Sequence, residues 1–456
     1  MNTLKKTFRK MASSQKRSER FLCQFAATLK DLFPKWEEWL ERIPEPRQES
    51  KCSYSLSSLI WLSLLMMLSG QESRNQYNET LFTEETKSIL ENMFELKLPA
   101  IPHGDTLAHL WRQLDPLAIE KLKTSMIRTL LRRRCLEKFR YRKRYYVLAV
   151  DGTELYRWSK PHCPNCLYAA SGPNKELQYY HRILEIKLVS ESGLCFSLLS
   201  EFIENGGEDD KQDCELKAFY RLSRRLKETF PQLSVLLLAD GIYPKGPVFA
   251  LCQEFGWKFI FVLQNKVLTT VWEDFEGLMD MPINALGVKE KDPIKIKDDR
   301  LYRWQNTLSY QGEKFEGMVN VMDVLKPNEN GEYIRCRGFI TNLKLSEDRI
   351  EELESLGQQR WKIENQGFDA QKHHGYALEH VWCRDSNGMK VVYLLIQIAH
   401  LFNQFFVHGN FLSLDLASQT IKSFFKMYLS AFTQSETLAS EWKKSQGQKY
   451  QIRWQE

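Results

Sequence analysis

Apolar residues recur every three or four positions through the first 140 residues and then give way to short unbroken runs. Helical spacing covers residues 21–40 and an apolar run for which Ser57 or Ser58 is placed as a cap. It returns at residues 106–114, behind Asp105 as a third candidate cap. Apolar side chains at 119, 122, 126, 127, 130 and 131 then form one stripe, with Lys121, Lys123, Arg128 and Arg132 assigned to the opposite face.

At Tyr145 the period changes. Residues 146–150 read as a buried strand ending in Asp151-Gly152. Further strands are predicted at 179–189, 194–202, 234–239 and 258–262, the fourth of the five again ending in Asp-Gly, at Asp240-Gly241. Helices are predicted at 211–229 and 247–255, and the order β-β-β-α-β-α-β is an α/β arrangement. Residues 266–345 break it with alternating stretches at 294–297, 301–308, 315–324 and 333–343, separated by turn signals at Gln311-Gly312 and Asn328 to Gly331. This reads as an antiparallel β insertion. Helix is expected from the cap Ser346 to about His374, with Gly357 a weak point and Gly375 the stop. Residues 389–407 form a second apolar helix, and residues 424–432 return to helical spacing before a polar, basic tail.

Hydrophobic residues make up 43% of the 456, enough to bury a sizeable core. The net charge of +6 is unevenly spread: residues 1–20 carry +6, residues 121–145 carry +10, and the rest nets −10. Two basic blocks on an acidic chain suit a polyanion, whose counterions Lys and Arg release. A membrane span needs about 20 apolar residues. The run 59–68 is too short, and 391–407 is interrupted by Gln397, His400, Asn403 and Gln404. With a charged N-terminus lacking an apolar core and ten scattered cysteines, a reducing, cytoplasmic setting without disulfides is expected.

A carboxylate directly after an apolar strand is costly to desolvate unless something pairs with it. If the first and fourth strands are neighbours, Asp151 and Asp240 face each other and repel unless a cation lies between them. Oxygen ligands with open positions suit Mg2+ or Mn2+. Each Asp-Gly alone also reads as an ordinary turn. Two metal ions need a third acid, and the helix offers Glu364, one turn beyond Arg360. Beside a metal ligand, that Arg holds a phosphate and keeps the Glu ionised. On a bare surface the pair contributes only about 0.3–0.5 kcal/mol.

Asp151-Gly-Thr, the strand followed by Asp240-Gly-x-Tyr243, and Arg360-Trp-x-Ile-Glu364-Asn365 together resemble DDE transposases of bacterial insertion sequences. The resemblance is to the group whose RNase H-like core is split by a β-strand insertion, and it covers about residues 100–410. It implies an RNase H-like mixed sheet flanked by helices. Residues 1–144 would be a helical DNA-binding region, 145–265 and 346–410 the two halves of the core, 266–345 the insertion and 411–456 a helical tail. The implied chemistry is phosphoryl transfer by two Mg2+ or Mn2+ ions held by Asp151, Asp240 and Glu364. Water cuts the element's end, and the freed 3′-hydroxyl attacks target DNA. Double-stranded DNA, as terminal inverted repeats and target, would be the partner, bound by a homodimer in the bacterial nucleoid. The group often carries Tyr, Arg, Glu and Lys around the glutamate. Here Arg360 and Glu364 match, Gly357 stands in the Tyr position and Gln371 in the Lys position. Lys372, an expected DNA contact, comes one residue late, about 80° round a straight helix, so either a helix irregularity corrects this or it makes a different DNA contact. Glu379 is the fallback third acid.

The basic residues Arg132, Arg133 and Arg134 are expected on DNA phosphates. Trp304 reads as a base-stacking residue or as part of the insertion's core. Cys163 and Cys166 form a lone Cys-x-x-Cys. A structural zinc needs four ligands, and His162, His181, Cys195 and Cys214 supply no second such pair, so plain thiols in a turn are favoured over Zn2+. Two other classes fit the same residues: a transposase-derived DNA-binding protein without activity, and an RNase H-like nuclease that does not join ends.

Overall fold

Helices fill the chain as far as Arg132: α1 (Asn2–Leu32), α2 (Trp36–Glu41), α3 (Leu56–Leu68), α4 (Arg74–Thr80), α5 (Glu84–Phe94), α6 (Gly104–Gln113) and α7 (Pro116–Arg132). The core follows as β1 (Arg140–Tyr141), β2 (Tyr145–Trp158), β3 (Leu167–Ser171), β4 (Glu176–Val189), β5 (Cys195–Ile203), α8 (Glu215–Thr229), β6 (Val235–Ala239), α9 (Gly246–Glu254) and β7 (Lys258–Val262). Then come α10 (Thr269–Met279), β8 (Ile294–Lys297), β9 (Arg300–Gly312), β10 (Phe315–Pro327) and β11 (Tyr333–Thr341). The chain closes with α11 (Ile350–Gln358), a π-helical segment (Ile363–Asp369), α12 (Ala370–His373), α13 (Ser386–His408) and α14 (Ile421–Thr433). The structure is a computed structural model describing residues 2–172, 175–205, 212–280, 293–408, 420–433, 438 and 442–443, with side chains from residue 14 onward. The basic tail beyond 443 and the start of the helix expected at 211 lie outside the described residues.

One mixed sheet runs β3-β4-β2-β6-β7-β11-β10-β9-β8, with β5 also on β4 and β1 on β2. Its five core strands β2, β4, β5, β6 and β7 lie in the order 3-2-1-4-5, the first three antiparallel and the last two parallel to β2 and to each other. This is the RNase H-like sheet expected. The inserted strands continue it, because β11 pairs antiparallel with β7 through Phe339↔Val262 and Thr341↔Ile260.

Alternate residues of β2 and β6 serve two cores, as the period of a strand dictates. Leu148, Val150, Leu237 and Ala239 join α8, α9 and the N-terminal helices in the larger one. Val147, Ala149, Leu236 and Leu238 join Leu353, Leu356, Ile363 and Phe368 in the smaller. Behind the larger core, α13 is buried against α3, α6, α7 and β5. It is long and apolar enough to cross a membrane, but 89% of its most apolar window is buried inside the protein. The polar interruptions of this helix are internal links. Gln404 accepts the Cys195 backbone N–H at 2.9 Å, and Asn403 donates to the Tyr376 hydroxyl at 2.8 Å.

Several local expectations are corrected. Ser55, rather than Ser57 or Ser58, caps α3 by accepting the Ser58 N–H. His103 caps α6, leaving Asp105 inside its first turn. The helix placed at Ser346 begins at Ile350, while Ser346 bonds Asp348 instead. Lys123 does not face outward. It is fully buried and donates to Ser197 Oγ at 2.6 Å and Ser200 Oγ at 3.2 Å, because α7 is wedged between α13 and β5. The segment read as wholly β opens with α10, whose Val271, Trp272 and Phe275 are buried at helical spacing.

Candidate active site

Asp151 does not end its strand. β2 runs on to Trp158 beside β4, and Asp151 stands where the neighbouring β6 stops. The parallel register pairs Ala149 with Leu238, so two residues on Asp151 falls opposite Asp240. Both acids share the parity of Val147, Ala149, Leu236 and Leu238, which puts them on the face covered by α11 and the π-helical segment. Asp240 accepts the Ile242 N–H at 3.1 Å, an Asx turn that directs the chain away from the sheet.

Glu364 comes from the second residue of the π-helical segment. Arg360 Nη1 donates to Glu364 Oε1 at 2.7 Å and to Asp151 Oδ2 at 3.2 Å, so one guanidinium nitrogen ties helix to sheet. Arg360 is 5% exposed and lies over the Trp361 ring, 4.4 Å from its centroid, while Trp361 itself is exposed. Burial, reinforced by the adjacent Glu364 carboxyl, pushes Asp151 up to about 7 against the opposing pull of Arg360.

The opposite face explains both glycines. A Cβ on Gly152 would lie 2.8 Å from Glu215 Oε2 and 2.9 Å from Arg182 Nε, two side chains whose ion pair runs from Arg182 Nη2 to Glu215 Oε2 at 2.6 Å. A Cβ on Gly241 would meet the Gln264 side chain at 2.6 Å. Tyr243, fully buried, donates to Glu215 Oε1 at 2.8 Å. Its phenol is held well above the ordinary value by burial, by Glu215, and then by both Asp240 and Asp151. Sequence reasoning missed Glu215 and Arg182, and it missed Glu185, the buried cross-strand partner of Asp151 that accepts from the Tyr393 hydroxyl at 2.8 Å. None stands in a motif, and only the strand register finds them.

The π-helical segment takes up one extra residue per turn. The eight steps from Glu364 to Lys372 therefore span what seven would in an α-helix. Gln371 turns inward, its Oε1 accepting from the buried Lys187 Nζ at 3.2 Å. Lys372 pairs with Glu379, the fallback acid, at 2.8 Å. Gly357 lies where α11 crosses β11, and a Cβ there would meet the Phe339 ring at 2.7 Å.

The remaining candidates lie elsewhere. Trp304 is 5% exposed in the smaller core, paired across strands with Met322, which is the core position the sequence offered beside base stacking. Arg132, Arg133 and Arg134 are exposed at the end of α7, with Arg133 paired to Asp31 at 3.1 Å. Arg134 in turn pairs with Glu137 at 3.8 Å, so the ion-pair partners of Arg133 and Arg134 lie outside Asp151, Asp240 and Glu364. Cys163 and Cys166 approach each other to 3.7 Å, and His162 and His181 join them, whereas Cys195 and Cys214 stay apart.

Arg360 joins two of the acids, Asp151 and Glu364, and Asp240 is related to Asp151 by strand register. The donors are all oxygen, which fits a hard divalent cation and not a soft one. Residues 209–402 match the family model described as Transposase DDE domain, and residues 37–126 match the one described as DDE_Tnp_1-associated. No curated protein is similar enough to count as a relative.

Proposed function

This chain belongs to the DDE transposases, and on that premise we propose that Asp151, Asp240 and Glu364 carry metal-dependent cleavage at the ends of a DNA element and the joining of those ends to target DNA. Transposases of this kind act on DNA and use divalent metal ions. For this chain the proposal is Mg2+ or Mn2+, two ions, held by those three acids. When bound, the ions supply charge for the attacking and leaving oxygens of an in-line displacement. The protein's own residues do the rest. The Asx turn fixes Asp240, and the Glu215–Arg182 pair packs behind Gly152 to fix the strand at Asp151. Arg360 holds Glu364 against Asp151 and offers the remainder of its guanidinium to a DNA phosphate. A homodimer pairing two ends completes the proposal.

The observation that carries the reading is the register of Asp151 with Asp240 on the sheet face where Arg360 joins Asp151 to Glu364. The test is cleavage and strand transfer with DNA bearing the element's own ends, in Mg2+. Asp151→Asn, Asp240→Asn and Glu364→Gln should each lose at least about 100-fold in cleavage, the scale for removing one electrostatic stabiliser, while still binding the ends. Near-normal turnover by any one of them removes that residue from the assignment. Cleavage without joining would leave a nuclease.

A further inference from the structure

We propose a second metal site, separate from the acids, in which His162, Cys163, Cys166 and His181 bind one zinc ion as a closed structural centre. The sequence favoured plain thiols because it offers only one Cys-x-x-Cys. The fold supplies the missing ligands from a different strand. The knuckle between β2 and β3 closes on itself with the Cys166 N–H on the Cys163 carbonyl, which brings the two sulfurs to 3.7 Å. His181 lies on β4, 1% exposed, with its Nε2 3.3 Å from Cys163 Sγ and 3.7 Å from Cys166 Sγ. The His162 Nε2 is 3.1 Å from that of His181, and its ring packs on Trp158 at 3.9 Å between centroids.

Four of the six separations, at 3.1–3.7 Å, are close to those across a filled tetrahedron. Zinc bonds of about 2.3 Å to sulfur and 2.0–2.1 Å to nitrogen put ligand atoms about 3.3–3.8 Å apart. All four candidate ligand atoms lie within 4.8 Å of one another. Two thiolates and two imidazoles without a carboxylate select zinc over magnesium or manganese. Four protein ligands leave no open position, so the ion holds structure and does no chemistry. On binding, the two thiols give up their protons to solvent, the imidazoles coordinate neutral, and nothing is oxidised or reduced.

The centre ties down the loop that follows β2. Asn165 donates to Glu204 at 3.3 Å and to Ser386 at 3.1 Å, and Asn205 donates to the Cys166 carbonyl at 2.9 Å. A metal at the knuckle therefore joins the ends of β2 and β5, the middle of β4 and the start of α13 at one point.

The test uses the full chain, purified under reducing conditions without chelator, and measures bound zinc by elemental analysis. One zinc per chain is expected in the wild type and in the Asp151→Asn/Asp240→Asn/Glu364→Gln variant, falling to background in Cys163→Ser/Cys166→Ser and in His181→Ala. Cobalt supplied in place of zinc should give thiolate-to-cobalt charge-transfer absorption and the intense visible bands of a tetrahedral ion. That spectrum decides the matter on the wild type even if a cysteine variant does not fold. Wild-type protein without stoichiometric zinc, a cobalt spectrum lacking thiolate bands, zinc lost with the three acids, or a Cys163–Cys166 disulfide in the reduced preparation would each overturn the proposal.

Discussion

Glu364, on a π-helical turn, stands beside Asp151, in the middle of a sheet strand, and burial, reinforced by that neighbouring carboxyl, pushes the aspartate up to about 7. Without metal, the pair therefore keeps a proton at mildly acidic pH, and a divalent ion has to displace it. Apparent metal affinity should rise by about tenfold per pH unit as the pH climbs toward 7, and level off above it. Calorimetric titration with Mn2+ across that range measures this, and a flat profile would contradict the assignment. Metal-free stability should move the other way. Between the ordinary 3.8 and about 7 the folded chain holds a proton that the unfolded chain releases, so its melting temperature should fall as the pH rises through that window.

Arg360 opposes this shift, and its contribution can be isolated. Arg360→Ala should move the plateau of metal affinity to higher pH. Arg360→Lys keeps a charge but loses the planar fork. With hydrogen bonds to charged groups contributing about 1.5–3 kcal/mol, cleavage should drop by about 10- to 150-fold. Unchanged cleavage by the lysine variant would reduce Arg360 to a point charge.

Gly357 is a packing requirement rather than a lost functional group. The Phe339 ring, 3% exposed, stands 2.7 Å from where its Cβ would be. Gly357→Ala should destabilise by about 1–3 kcal/mol through overpacking, despite gaining about 1 kcal/mol in helix propensity. Urea unfolding reads the sign directly. A more stable alanine variant would mean that the ring moves aside freely.

Arg132, Arg133 and Arg134 give an expectation about salt. If they contact phosphates, replacing all three by Gln should lower the slope of log affinity against log salt by up to about 3, at about 0.9 per contact. Cleavage at saturating DNA should change little, since Arg133 pairs with Asp31 and Arg134 with Glu137 rather than with the three acids. An identical slope would remove them from the DNA surface.

The strands were legible because alternating or unbroken apolar runs bounded by Gly and Asn leave few other structures open. The predicted runs at 146–150, 179–189, 234–239 and 258–262 lie in β2, β4, β6 and β7. Their extents were less so. β2 outlasts its apolar run because β4 remains alongside as far as Trp158, and the short β3 forms only as the hairpin partner of β4. Lys123 misled because α7 is covered by both α13 and β5, so its solvent face narrows to residues such as Lys121 and Arg128 and leaves Lys123 inside. The four-residue cluster at Cys163 was out of reach, since His181 lies 15 residues beyond Cys166 and is placed by strand register alone. Periodicity reports which side a residue takes, not which distant residue it meets.

The seam between β7 and β11 carries a consequence for anyone wishing to trim this protein. Those excursion strands look removable in a linear drawing, yet they shield the flank of the strand next to Asp240's own. Excising them would strip β7 of a hydrogen-bonded neighbour and leave a raw edge for other chains to pair with. It would also cut the track that delivers the backbone from β11 through α11 to Glu364. A minimal catalytic fragment made that way is expected to clump before it can be assayed. Shortening is better attempted at the far margin, on β8.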